Sequence, residues 1–291
     1  MGYWGNQSGY GEQSLASYCD TGDYDVIYLA FMYIWGQGQA PQVDFYGNPN
    51  GAVPSIYQLP QVAADVQHCQ SKGVAVMISV GGATGTSYLS SAADATDFAN
   101  KLWNLYLGGN VNDPSRPLGT TVLDGVDLDI EDNVQQYYDV FATSLRAAGA
   151  SKGLYYLTGA PQCVMPDAGL NTALQNAGNQ FDWVNAQYYN NYCGANAYSS
   201  PADIANTQAS FSYAAWNALG AQKGFQSGLG LAASSNAANT GYVSPSTVQS
   251  IVSAIRANPT TSPNFAGVMF WSCAHAAQNG NFAASMRSIL G

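Results

Sequence analysis

A single (β/α)8 barrel spanning residues 1–291 is the fold this sequence predicts, on three observations. Eight short segments rich in aliphatic and aromatic residues recur along the chain, each followed by a stretch with helical periodicity. That alternation implies a parallel sheet covered by helices. Most of these segments are apolar throughout, as expected of strands buried on both faces. No linker, repeat or low-complexity stretch divides the chain, and its 291 residues suit one closed barrel.

Tyr3–Gln7 reads as a first strand ending in polar residues, and Glu12–Tyr18 as a small helix. Tyr24–Tyr33 is a long buried strand. Leu59-Pro60 opens a helix with proline in its first turn, where the missing N–H costs nothing, and Lys72-Gly73 stops it. Val74–Val80 is the third strand and runs into Ser79-Val80-Gly81-Gly82. Ala92–Leu107 places Phe98, Leu102, Leu105 and Tyr106 on one helical face. Val122–Glu131 is the fourth strand, followed by a helix over Val134–Ala148 with Tyr137, Phe141 and Leu145 in register. Leu154–Ala160 and Trp183–Tyr189 are strands five and six, with helical content around Ser210–Leu219. Phe225–Ala232 is the seventh strand, and Ser244-Pro245 caps a helix whose apolar face is Val248, Ile251, Val252 and Ile255. Val268–Trp271 is the eighth strand and Phe282–Leu290 the closing helix.

The chemistry concentrates on the fourth strand, Val-Leu-Asp-Gly-Val-Asp-Leu-Asp-Ile-Glu. Strand side chains alternate, so Asp127, Asp129 and Glu131 share one face while Val126, Leu128 and Ile130 take the other. Like charges in a buried row repel and are costly to desolvate, so neighbouring carboxyls share protons and at least one is raised. A carboxyl kept protonated near neutral pH is a general acid. A calcium loop would interleave its acids with Gly, Asn and Ser, and a solvated face would want polar partners; Val, Leu and Ile fit neither. Catalytic groups of such barrels sit at the C-terminal ends of strands, where Glu131, Tyr189 and Trp271 fall.

Composition narrows the partner. The chain carries 8 Lys and Arg against 18 Asp and Glu, a net charge of -10, with only 9% of residues charged. Nucleic acid is excluded as an expected partner, because phosphate binding needs clustered cations. No apolar run is long enough to span a bilayer, so no membrane partner is expected. Twenty Tyr, ten Phe and six Trp supply faces suited to sugar rings as well as to cores. His68 and His275 lack metal-ligand spacing, and no metal or cofactor is expected. A Ser-, Asn-, Gly- and Tyr-rich, Lys-poor chain with five cysteines is expected to be secreted. Cys69 shares a helical face with Val62 and Val66, so Cys19 and Cys69 meet if their helices are adjacent. Cys163 and Cys193 each follow a strand, and two disulfides with Cys273 left over as a buried thiol is the preferred count. Connectivity is not fixed by five cysteines alone.

With these residues in place the chain resembles glycoside hydrolase family 18. Asp124-Gly-Val-Asp127-Leu-Asp129-Ile-Glu131 matches that family's Asp-x-x-Asp-x-Asp-x-Glu signature, and Ser79-Val80-Gly81-Gly82 its second motif. Tyr3-Trp4-Gly5, Ala160-Pro161-Gln162-Cys163, Gln187-Tyr188-Tyr189-Asn190-Asn191 and Val268-Met269-Phe270-Trp271-Ser272 extend the similarity along nearly the whole chain, toward the class III, hevamine-type endochitinases. The resemblance implies a monomeric enzyme acting on chitin or chitooligosaccharides by a retaining, substrate-assisted route. It makes Glu131 the general acid/base, Asp129 the group orienting the acetamido N–H, Asp127 the residue that shares a proton with Asp129 and tunes it, and Tyr189 a donor to the acetamido oxygen. Trp271 would floor the sugar site, Gln7, Gln162, Asn190 and Gly82 would contact substrate, and Asp124, bonded near Ser79, would give structural support. The Asn6-Gln7-Ser8 sequon is expected to stay unmodified, since a glycan there would block the cleft. Only a loop and one helix separate strands seven and eight, so the α+β insertion of many bacterial-type chitinases is expected to be absent. Two rivals remain: an endo-β-N-acetylglucosaminidase acting on N-glycan cores, and an inactive lectin or glycosidase inhibitor on the same barrel.

Overall fold

In the computed structural model, which describes residues 1–45, 53–54, 58–84, 87–150 and 155–291, the predicted strands close into a parallel barrel. The barrel strands are β1 (Gly2–Trp4), β2 (Val26–Ile34), β3 (Ala75–Gly81), β4 (Gly125–Asp129), β5 (Tyr156–Gly159), β6 (Trp183–Gln187), β7 (Gln226–Ala232) and β8 (Phe265–Trp271). Each pairs with the next, and β1 pairs with both β2 and β8, which leaves the barrel without an open edge. Alternation across the wall separates two cores. Val126, Leu128 and Ile130 point outward into the large apolar layer beneath the helices. Tyr3, Tyr28, Phe31, Met77 and Met269 fill the barrel interior as a separate cluster.

The helices are α1 (Leu15–Asp20), α2 (Pro60–Ser71), α3 (Ala92–Tyr106), α4 (Tyr138–Gly149), α5 (Asn171–Ala177), α6 (Tyr213–Lys223), α7 (Pro245–Ala257), α8 (Cys273–Gln278) and α9 (Phe282–Leu290). Their predicted apolar stripes face the barrel: Phe98 of α3 stacks on Phe141 of α4 at 5.1 Å, and Val248, Ile251, Val252 and Ile255 of α7 are buried. Each such side chain contributes roughly 1.5–3 kcal/mol by leaving water. Ser244 caps α7 by accepting the N–H of Thr247. One disulfide joins Cys19 of α1 to Cys69 of α2, a second joins Cys163 to Cys193 in the loops after β5 and β6, and Cys273 is buried and free. Among the described residues no helix is long and apolar enough to cross a membrane.

The structure differs from the sequence reading at several ends. β1 stops at Trp4, because Gly5 turns to φ +119° and the N–H groups of Gly5 and Gln7 bond the Glu12 carboxylate instead of a neighbouring strand. The helix expected from Val134 begins at Tyr138. Tyr137 is left-handed at φ 68°, the Val134 N–H is taken by Asp132, and Gln135 accepts from Thr172 across the loop. The short helices α5 and α8 carry no long amphipathic pattern and were not expected. A small antiparallel ribbon, Gln42–Val43 with Val53–Pro54, is added beside β2. Leu154, the expected start of strand five, lies outside the described residues.

Candidate active site

The register of the barrel assembles the site. Across β3, β4 and β5, Ser79 stands opposite Asp127 and Asp127 opposite Thr158, while Tyr3 reaches in from β1. Asp127 is fully buried and accepts hydroxyl bonds from Tyr3 (2.8 Å), Ser79 (2.7 Å) and Thr158 (2.6 Å). Burial pushes its carboxyl above the usual range, and those three donors pull it part of the way back. Asp127 also acts on Asp129 through its charge, which raises the Asp129 carboxyl further.

Asp129 sits one step further toward the mouth, opposite Gly81. Only glycine fits there: Gly81 has φ +120°, and a Cβ would lie 1.9 Å from the Asp129 carbonyl oxygen. Burial holds the Asp129 carboxyl well above the usual range, and the charges of Glu131 and then Asp127 add to that. Glu131, just past the end of β4, is raised by burial and drawn back by bonds to Gln187 and Asp129. Burial raises both carboxyls, and their mutual coupling keeps a proton on the pair. Gln187 locks the pair: its Nε2 donates to Asp129 Oδ1 (2.7 Å) and the Ala160 carbonyl (2.9 Å) and lies 3.3 Å from Glu131 Oε1.

Above these groups opens a cavity of about 160 Å³. Asp129, Glu131, Tyr189, Asn190 and Trp271 line it, together with Asn6, Phe31 and Gln187. Trp271 stacks on Phe31 with centroids 5.7 Å apart and an interplanar angle of 17°, giving an aromatic wall beside the carboxyls. Burial and the nearby carboxylates push the Tyr189 phenol far up, so its hydroxyl stays a donor.

Other expected site residues are placed elsewhere. Gln7 and Gln162 do not line the cavity; the Gln7 N–H is tied to Glu12, and Gln162 Oε1 accepts from Asn191. Gly82 lies beneath the Phe31 ring and donates its N–H to the Asp129 carbonyl, shaping backbone rather than wall. Asp124 is not bonded near Ser79, whose hydroxyl is committed to Asp127. Its carboxylate instead takes the Val76 N–H (2.7 Å) and Gln70 Nε2 (2.9 Å), fastening α2 to β3. Sequence reasoning missed Gln187, Phe31 and Thr158; Asn6, expected beside the cleft from its sequon, lines the cavity. For Gln187 a signal existed, since it stands two residues before Tyr189 and so shares its face. His68 bonds Asp20 and His275 bonds Ser272. Among the described residues no group of three or more His, Cys, Asp or Glu is placed to hold a metal ion.

A raised carboxyl pair, a protonated phenol and an aromatic wall at the C-terminal mouth of a (β/α)8 barrel are the equipment of a glycosidase. The chain belongs to the glycosyl hydrolases family 18, whose family-wide pattern matches residues 1–245. It is 40% identical over 270 residues to the acidic endochitinase of Nicotiana tabacum, covering 93% of this chain and 86% of that one. It is 36% identical over 300 residues to Chitinase 2 of Rhizopus oligosporus, where it covers 100% of its own length and about half, 52%, of the relative's. Among solved structures it matches the ICChI chitinase of Ipomoea carnea at a TM-score of 0.83 and 32% identity, covering 99% and 98% of the two chains. It also matches a xylanase–α-amylase inhibitor protein solved with trehalose, at 0.81 and 32%, covering 99% and 97%.

Proposed function

We propose that this protein is a secreted, retaining endochitinase that cleaves β-1,4 bonds between N-acetylglucosamine units by substrate-assisted catalysis. The observation that carries the reading is the placement of acids: among the described residues lining the cavity, the only carboxylates are Asp129 at the end of β4 and Glu131 two residues beyond it. Ordinary glycosidases flank the scissile bond with two opposed carboxyls, whereas here the substrate's own acetamido group is left to act as nucleophile. Glu131 protonates the glycosidic oxygen as the acetamido carbonyl oxygen attacks the anomeric carbon, and the alcohol leaves. Asp129, ionised when Glu131 carries the pair's proton, accepts the acetamido N–H and steadies the positive oxazolinium ion. The Tyr189 hydroxyl donates to the acetamido oxygen and Trp271 supports the sugar face. Glu131 then deprotonates a water that opens the ion, so the configuration at the anomeric carbon is retained.

Glu131→Gln tests this. The change keeps shape but removes the proton, so turnover of chitin hexamer is expected to fall by about 10²–10⁴-fold with oligomer binding preserved. Near-normal turnover in that variant would rule Glu131 out as the acid. The likeness to the inhibitor protein favours a second reading, a binding protein on the same barrel; binding of chitin oligomers without turnover by the unaltered protein would establish it.

A further inference from the structure

The loop between β5 and α5 holds a buried carboxylate that the chemistry above does not use. Asp167 is only 3% exposed, and its two oxygens accept the backbone N–H groups of Gln162 (3.0 Å), Gly169 (2.9 Å) and Leu170 (2.5 Å). The loop it ties together bears on the carboxyl pair at two places. Gly169 is pressed against β4 so closely that a Cβ would sit 2.0 Å from the carbonyl oxygen of Ile130, the residue before Glu131. Gln162 forms a parallel bridge to Gln187, whose side chain grips Asp129 and Glu131. Withdrawing a carboxylate from water costs free energy, which the three backbone N–H groups on its two oxygens offset.

We propose that Asp167 is a positioning residue of this active site, which holds the end of β4 and Gln187 in place and sets a fixed negative charge beside Asp129 and Glu131. The inference rests on the chitinase reading. Its charge acts on both carboxyls in the direction that keeps a proton in the site. Acting on Glu131 are Asp129 at the end of β4, Tyr189 just past β6 and Asp167 from this loop; no Lys, Arg or His is among the groups that shift them most.

Asp167→Asn removes the charge at constant size and gives up the backbone bonding on one oxygen. The alkaline limb of the kcat profile on chitin hexamer, where Glu131 loses its proton, is expected to move about one pH unit toward acid, with kcat lowered and KM little changed. A limb that stays in place overturns the proposal even if kcat falls, because loss of loop geometry alone would do that. Should the variant not fold, 13C NMR titration of the intact protein decides. The Glu131 carboxyl must show a second inflection at the pH where Asp167 titrates, and its absence overturns the proposal. Inactivity of the unaltered protein would instead refute the chitinase reading, while the titration still tests the charge coupling.

Discussion

Asp127 offers a prediction in which stability and activity come apart. Its carboxylate is the shared acceptor for three buried hydroxyls, two on Oδ2 (Tyr3 and Ser79) and one on Oδ1 (Thr158). Asp127→Ala strands all three. An orphaned buried donor costs about 1–3 kcal/mol, but the Ser79 and Thr158 hydroxyls can rotate toward other acceptors, and the cost of burying a carboxylate disappears. A net loss of about 3 kcal/mol follows, or a fall in Tm of about 5 °C for a chain of this size. Asp127→Asn keeps an oxygen for Tyr3 and Ser79 and turns its amide to Thr158, whose hydroxyl can accept. It should stay within about 1 kcal/mol of the parent. The charge beside Asp129 is nonetheless gone, so kcat should drop about tenfold or more in the Asn variant despite its intact fold. Calorimetry and hydrolysis of a chromogenic chitooligosaccharide measure both. Equal destabilisation by Asn and Ala, or none by Ala, would refute the hydroxyl cradle; full activity in the Asn variant would refute the role of the charge.

Two further predictions concern stability. Burial pushes the Glu12 carboxyl up to about 7, from 4.5 when free. The folded state therefore binds this proton more tightly than the unfolded chain does. Its stabilising contribution is complete below pH 4.5 and is lost as pH rises to 7, on the order of 3 kcal/mol. The stability difference between the parent and Glu12→Gln, from urea midpoints at both ends of that window, should change by this amount; a constant difference would contradict it. The Cys163–Cys193 disulfide closes a loop of 30 residues, so replacing both cysteines by serine should cost roughly 3–4 kcal/mol in chemical denaturation. An unchanged midpoint would show that the loops after β5 and β6 are held by other contacts.

What the sequence made legible was what strand and helix periodicity encodes. The alternation of Asp127, Asp129 and Glu131 with Val126, Leu128 and Ile130 assigns acids and aliphatics to opposite faces, and the barrel turns the aliphatics out beneath the helices. The strand segments were readable because most are continuous apolar runs and the fourth alternates acids with aliphatics. What escaped notice depends on which group bonds which. Gln187 is one glutamine among many, and only the barrel register brings its amide to Asp129 and Ala160. Gln7 and Gln162 look equally suited to sugar contact, yet backbone turns fixed by Glu12 and Asp167 keep both off the cavity wall. The start of α4 shifted because Tyr137 took a left-handed conformation that no helical pattern announces. Asp124 was read as structural support, but its partners proved to be on α2 and β3, a consequence of tertiary packing.

The account's central claim is that the substrate's acetamido oxygen, rather than a protein carboxylate or a free water, attacks the anomeric carbon. Early-time hydrolysis of N-acetylglucosamine hexamer, resolving product lengths and anomers together, tests it most directly alongside the fully deacetylated hexamer. The account predicts internal cuts, new reducing ends born in the β form, and no cleavage of the deacetylated chain. Products born in the α form, or equal rates on the two chains, would contradict it.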